Sequence, residues 1–355
     1  MGAPRAMALD ARDVPLPRSE ERPDAPLDTS RPRPCIRGGR HVDASASRPS
    51  PPYNGSTAVS DWLNNRACQR RSAQWRSWDW RSDECATIPP PPDAGSDNAV
   101  QVAYCRAIGS RRLLYIGDSL QFQMFLSMAQ LLDSAVPTRW LEMDWKMGRA
   151  LDVCGGRAAL SFVRNDHLCD WSWDRRCVFD KARNLIRRGF AELARSFDVL
   201  VLNRGAHTVS DELLANQTAA LGRWLAESWL PRPSRAGGPR RLVRWRTSVP
   251  GHTGCALNTI APLLYRYVPQ DHMHYGWHRY AAQNQLVARI LDGSLPAGSL
   301  QYIDAFELSN LRADRHLVHN AFRKRDCLHY CLPGPPDDWN GVLAASLAPP
   351  FEPAH

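Results

Sequence analysis

The chain reads as an α/β protein, with a parallel sheet flanked by helices in a doubly wound arrangement. Three observations predict it. At 355 residues and 43% hydrophobic content, there is enough chain and enough apolar surface for one large α/β domain. From Arg111 onward, short apolar runs alternate with helix-like stretches, the order that gives parallel strands joined by helical crossovers. The first such stretch has Leu120, Met124, Met128 and Leu131 at helical spacing on one face.

Taken in order, "RRLLYIGDS" is a strand that ends at Gly117, and "LQFQMFLSMAQLL" continues it as a helix. "FDVLVLNRGAH" is a buried strand turning at Asn203, and "ELLANQTAALGRWLAESWL" is an amphipathic helix. "RRLVRWRTS" and "SLQYIDAFEL" supply two further strands. Residues 1–60, rich in Pro, Arg, Ser and Asp, read as a disordered tail. The folded domain is expected over 61–348, with a Trp- and Cys-rich block at 61–110 and a short tail at 349–355.

The formal charge of +9 comes almost wholly from arginine, the lysines being Lys146, Lys181 and Lys324. A basic balance suits an acidic partner, but no RNP-like motif, zinc-finger spacing or basic stripe is present, so nucleic acid is not expected. Ten cysteines are scattered without a C-x-x-C pair, which predicts disulfides in an oxidising compartment. Sequons at Asn54 and Asn216 agree with a secretory route. No signal peptide or membrane-spanning run is visible, and an upstream anchor missing from this sequence is the expectation.

In doubly wound sheets ligands bind beyond the carboxyl ends of the strands. Two strands finish there in useful residues. Gly117-Asp118-Ser119 sets Ser119 at the start of a helix, where backbone N–H groups and the helix dipole favour an anion, and Gly117 permits a tight turn. Ser119 as nucleophile competes with Ser119 as a plain helix cap. In "NRGAH", Asn203 could donate its amide to the same oxyanion, or Asn203 and Gly205 could simply form a turn. Near the C-terminus, "DCLHYCLPGPPDDWN" sets Asp326 three residues before His329. One helical turn or a tight loop would bring them together as base and orienter for a serine nucleophile. Cys327 and Cys331 are too local to prefer each other, so each is expected to bridge to a distant segment. A metal reading of "CLHYC" with His272, His274 and His278 lacks the second ligand set that zinc sites show, and no metal is expected. His207 and His252 read as cleft-shaping or structural, and Arg164 as a surface or ion-paired arginine.

With these blocks in this order, the sequence resembles the trichome birefringence-like/PC-esterase family, a branch of the SGNH (GDSL-type) acyl esterases and acyltransferases. "QWRSWDWRSDECATIP", "RRLLYIGDSLQFQMFLSM", "WRTSVPGH", "LRADRHL" and the DxxH block with "LPG" and "DxWN" carry the resemblance. It implies a three-layer α/β/α sandwich of the SGNH-hydrolase kind. Ser119 would be the nucleophile, His329 the base and Asp326 its partner, with the Ser119 N–H and Asn203 forming the oxyanion hole. It also implies a Golgi-lumen enzyme without a bound cofactor. Such an enzyme moves acetyl from a donor (acetyl-CoA or another activated acetyl ester) to hydroxyls of a xylan-, mannan- or pectin-like polysaccharide. A second-block glycine of the oxyanion hole has no clear counterpart; Gly148, Gly155, Gly156, Arg164 and Asn165 are the candidates. "NRGAH" departs from the plant "N-T-G-H-W-W" pattern. An esterase passing the acyl group to water uses the same three residues, and a catalytically dead glycan-binding module is the alternative outside enzymes.

Overall fold

The computed structural model describes residues 39–43, 78–82, 99–132, 150–170, 172–173, 189–204, 207, 210–233, 235–255, 267–270, 276–319, 325–332 and 334–348. In chain order its principal elements are β1 (Gly39–Asp43), β2 (Trp78–Ser82), α1 (Ala99–Ile108), β3 (Arg112–Gly117), α2 (Ser119–Leu131), β4 (Ala150–Val153) and β5 (Ala158–Arg164). They continue with α3 (Ala191–Ala194), β6 (Val199–Asn203), α4 (Asp211–Trp224), β7 (Leu242–Arg246), α5 (Tyr280–Ser294), β8 (Leu300–Ile303) and α6 (Ala305–Asn310). The last three are β9 (His316–His319), β10 (Arg325–Tyr330) and α7 (Pro335–Leu347).

Six strands form the central sheet in the order β4-β5-β3-β6-β7-β8. All neighbours run parallel except the edge hairpin β4–β5. Strand parity divides the core in two. Leu113 and Tyr115 of β3 and Val199 and Val201 of β6 face one layer of helices, where Ile108, Met124, Phe125, Trp339 and Leu343 pack from α1, α2 and α7. Leu114, Ile116, Leu200 and Leu202 face the other layer, meeting Leu214 and Leu221 of α4 and Val287 and Leu291 of α5. This is the three-layer α/β/α sandwich, and strands apolar on both faces are what such covering requires.

The expectation of one apolar face on α2 is too narrow. The helix lies between the sheet and α7, and every residue from Leu120 to Ala129 is buried, Gln121, Gln123 and Ser127 included. Gly39–Asp43, inside the stretch read as a disordered tail, pairs antiparallel with Trp78–Ser82. That pairing is non-local and leaves no trace in local composition. The rest of 1–60, most of the Trp-rich block and the 349–355 tail lie outside the described residues.

Disulfides join Cys105 of α1 to Cys154 and Cys255 to Cys327, and Cys169 and Cys331 are disulfide-bonded as well. As expected, Cys327 reaches a distant segment, 72 residues away. Among the described residues, no helix is long and apolar enough to cross a membrane.

The connections set where a ligand can sit. Helix α2 leaves β3 toward one face while α4 follows β6 on the opposite face, so the neighbouring carboxyl ends of β3 and β6 open a crevice.

Candidate active site

At that crevice β3 ends on Gly117. A Cβ there would lie 2.8 Å from the Gln121 side chain and 2.9 Å from the Asn203 carbonyl oxygen, so glycine permits the close approach of β6 to the first turn of α2. Asp118 is the helix cap: its Oδ1 accepts from the N–H groups of Leu120 and Gln121 at 2.9 and 3.2 Å. The capping role weighed for Ser119 therefore falls to its neighbour, and Ser119 becomes the first helical residue. Its backbone N–H is one of the first-turn donors that no preceding helical carbonyl can satisfy.

The hydroxyl of Ser119 faces His329, whose Nε2 is 2.7 Å from Oγ. On the far side of the ring Nδ1 is 2.8 Å from Asp326 Oδ2. With Asp326 ionised, Nδ1 carries the hydrogen and Nε2 is left to accept from serine. Burial acts to raise the Asp326 carboxyl, but the His329 ring beside it and the N–H groups of His329 and Leu328 outweigh burial and hold it well below the usual carboxylate range.

Asp326 and His329 both belong to β10, where three-residue spacing on a flat strand would send the side chains to opposite faces. The strand is not flat: its register with β9 slips between Asp326 and Tyr330. Asp326 Oδ1 causes the fold-back by accepting from the N–H of Leu328 at 3.2 Å and of His329 at 3.0 Å. The helical turn or tight loop expected from sequence is a side-chain-bridged irregularity within a strand.

Long-range ties fix this segment. Gln123, one turn after Ser119 on α2, donates to the Tyr330 carbonyl at 2.7 Å and accepts from the Tyr330 N–H at 3.1 Å. Behind it, the Cys327 carbonyl accepts from the His252 N–H at 2.9 Å, and the Arg315 carbonyl from the Cys331 N–H at 2.7 Å. The Cys255–Cys327 disulfide adds a covalent tie. Trp339 of the "DxWN" stretch lies under the Arg246 guanidinium, 4.9 Å away, and its indole donates to Ser309.

Arg246 is a residue sequence reasoning missed. Fully buried at the end of β7, it donates from Nε to Gln121 Oε1 at 2.9 Å and lies 3.7 Å from Asp118. Burial brings its guanidinium down to about 10, with Asp118 opposing. Gln121 in turn donates to the Val201 carbonyl at 2.9 Å. The available signal was the pair of glutamines inside the apolar run "LQFQMF": buried polar groups need partners.

The remaining expected residues divide as follows. Asn203 is fully buried, and its side-chain N–H donates to the Arg246 carbonyl at 3.2 Å. Gly205 and Gly148 lie outside the described residues. Gly155 and Gly156 are removed from the site: with Cys154 they form a left-handed hairpin turn between β4 and β5, at the opposite end of the sheet from Ser119. Asn165 is spent within its own turn, bonded to the backbone of His167 and Cys169. Arg164 is ion-paired with Asp166, and His207 Nε2 lies 3.4 Å from the same carboxylate. The thiols of "CLHYC" are both in disulfides, and His272 and His274 lie outside the described residues.

Residues 238–346 match the model of the PC-Esterase family, described as a GDSL/SGNH-like acyl-esterase family found in Pmr5 and Cas1p. That segment, which contains Asp326 and His329, is similar to the PC-Esterase family. Relatives extend the likeness beyond the PC-Esterase segment. Protein trichome birefringence-like 3 of Arabidopsis thaliana is 23% identical over 76% of this chain and 69% of its own length. Xylan O-acetyltransferase 7 of Oryza sativa subsp. japonica is 22% identical over 87% of this chain, which spans 58% of that protein. Protein trichome birefringence-like 38 of Arabidopsis thaliana is 25% identical over 78% of this chain and 74% of its own.

Proposed function

We propose that this PC-Esterase-related chain is an O-acetyltransferase that moves acetyl groups onto hydroxyls of a xylan-, mannan- or pectin-like polysaccharide through an acetyl-serine. The observation that carries the reading is the hydrogen-bonded line from Ser119 through His329 to Asp326, at the carboxyl ends of β3 and β6. The name of the rice relative, a xylan O-acetyltransferase, supports transfer to a polysaccharide over hydrolysis.

In this mechanism Ser119 Oγ attacks the carbonyl carbon of an activated acetyl ester, and its proton passes to His329 Nε2. The oxyanion is met by the Ser119 N–H at the positive end of α2. Asn203 has a second amide hydrogen beyond the one given to Arg246 and adds it to the same oxygen. The donor's leaving group departs with the proton from His329. A sugar hydroxyl then gives its proton to His329 and attacks acetyl-Ser119, and the proton returns to Ser119 as the acetylated sugar leaves. Asp326 holds the ring in the required tautomer throughout and offsets its transient charge. No cofactor takes part; the acetyl donor is a substrate. The disulfides suit an oxidising compartment, for which the Golgi lumen is our reading.

Mass spectrometry of the oxidised protein after brief exposure to an activated acetyl ester tests this, with Ser119→Ala as the control. Acetyl on Ser119, discharged faster by xylan or pectin oligosaccharide than by water, is the expected result. Equal loss in water would make the protein an esterase. A folded, oxidised protein that takes up no acetyl would make it a glycan-binding module.

A further inference from the structure

His252 closes the "WRTSVPGH" block and His316 lies within the "LRADRHL" element, and neither takes part in the chemistry above. Both rings are fully buried. They meet behind the base, with His252 Nδ1 2.7 Å from His316 Nε2. Their outer nitrogens meet backbone carbonyls: His252 Nε2 lies 2.7 Å from the oxygen of Asn310, and His316 Nδ1 lies 3.1 Å from the oxygen of His329. The row runs carbonyl, imidazole, imidazole, carbonyl, and its last member belongs to the residue proposed as the base.

Each carbonyl oxygen can only accept, so each outer nitrogen must carry a hydrogen, and the contact between the rings needs a third. Two neutral imidazoles carry two. With two, one contact of the row sets lone pair against lone pair. The longest contact, the one to His329, is the least costly to release.

We infer that His252 and His316 share three protons in this geometry and act as positioning residues, the charged pair holding the His329 carbonyl and releasing it when the third proton leaves. The effect on rate rests on His329 being the general base; the proton count does not.

The surroundings make that proton removable. Burial is the largest influence on both rings and favours their neutral forms, taking His252 down to about 4 against the opposing charge of Asp314. His316 is held well below its ordinary value, by burial first and by His252 next, with Asp326 opposing and His329 adding to the fall. Asp314 is buried between Arg312 and Arg315, at 3.0 and 2.7 Å. Tyr267 lies over His252 and Tyr330 over His316, with ring centres 4.5 and 4.4 Å away. Rising pH therefore removes the third proton to solvent.

The test uses the full oxidised chain with nitrogen-15 histidine. Coupling between ring nitrogens across the hydrogen bond identifies the pair by NMR in the wild type, so no variant has to fold. We expect three protonated ring nitrogens at the acid end of the stable pH range and two at the alkaline end. Acetylation of Ser119 should fall over the same interval. In His316→Gln, whose amide can donate to the His329 carbonyl without titrating, that alkaline fall should vanish while the peak rate stays within about tenfold of wild type. His316→Ala should be slower by about 10- to 100-fold, as displacement of a reacting group costs. Two protonated nitrogens at every pH, or an alkaline fall unchanged in His316→Gln, would overturn the inference. Three protonated nitrogens in a protein that never acetylates Ser119 would sink the proposed function and leave the proton count intact.

Discussion

The two ends of the Ser119–His329 contact are held by opposite means. The serine end is mostly local: β3, the Asp118 cap and the first turn of α2 lie within about a dozen residues of one another, the sheet and α7 bury them, and Arg246 is their distant polar partner. The histidine end is local only in its bond to Asp326. Everything else that fixes it arrives from afar, from Gln123, His252, Cys255, Arg315 and His316. The serine end therefore rests on burial spread over many side chains, and the histidine end on a few polar ties. Substitutions near the serine should act through chemistry, and substitutions around the histidine through position.

Four experiments sharpen or break this contrast. Ser119→Ala should lower the acetylation rate by about 10⁶-fold, and its melting temperature should stay at the wild-type value because Asp118 supplies the cap. A clear drop in melting temperature would break the contrast at its first member. Asp326→Asn should lower the rate by about 10⁴-fold, since the amide favours the wrong tautomer. Its stability cost also depends on pH. The carboxyl of Asp326 is depressed in the folded state, so its stabilisation is fully present above the ordinary carboxylate pKa and is lost only as pH falls through the lower folded value. Denaturant titrations of the two proteins should differ most above about pH 4 and converge in stronger acid.

Gln123→Ala comes third. It strands the Tyr330 N–H and carbonyl in a buried position, which costs about 2–4 kcal/mol for the two groups, and it lets His329 drift, for a rate loss of about 100-fold. Urea unfolding and initial rates measure both, and a stability loss with an unchanged rate would show that the tie does not position the base. The smallest effect on rate, about tenfold, is expected from Cys255→Ser with Cys327→Ser, because hydrogen bonds still hold the strand. The same pair should lose about 2–4 kcal/mol of stability, read by thermal unfolding.

What was legible in the sequence follows the same division. Strands covered on both faces announce themselves as apolar runs, so β3, β6, β7 and β8 could be placed, and "GDS" and "DCLH" each set the residues that meet at the Ser119–His329–Asp326 contacts within a few positions. Gln123, Arg246 and the His252–His316 pair were not legible as parts of the site, because each acquires its role from a partner far away in the chain. The slip in β10 was hidden because an aspartate bridging its own backbone is indistinguishable in sequence from an ordinary strand acid. Gly155 and Gly156 misled for a related reason: glycine marks a turn without saying at which end of the sheet the turn falls.

The contact between His329 and Ser119 spans 210 residues, and this has a consequence for how the protein is made. A ribosome finishes β3 and α2 nearly two hundred residues before it reaches Asp326 and His329. Until then the nascent chain carries Ser119 without its His329 contact and Gln123 without its Tyr330 contacts. Docking of that strand onto Gln123 completes the hydrogen-bonded line, so under the proposed mechanism reactivity toward acetyl esters has to wait for it.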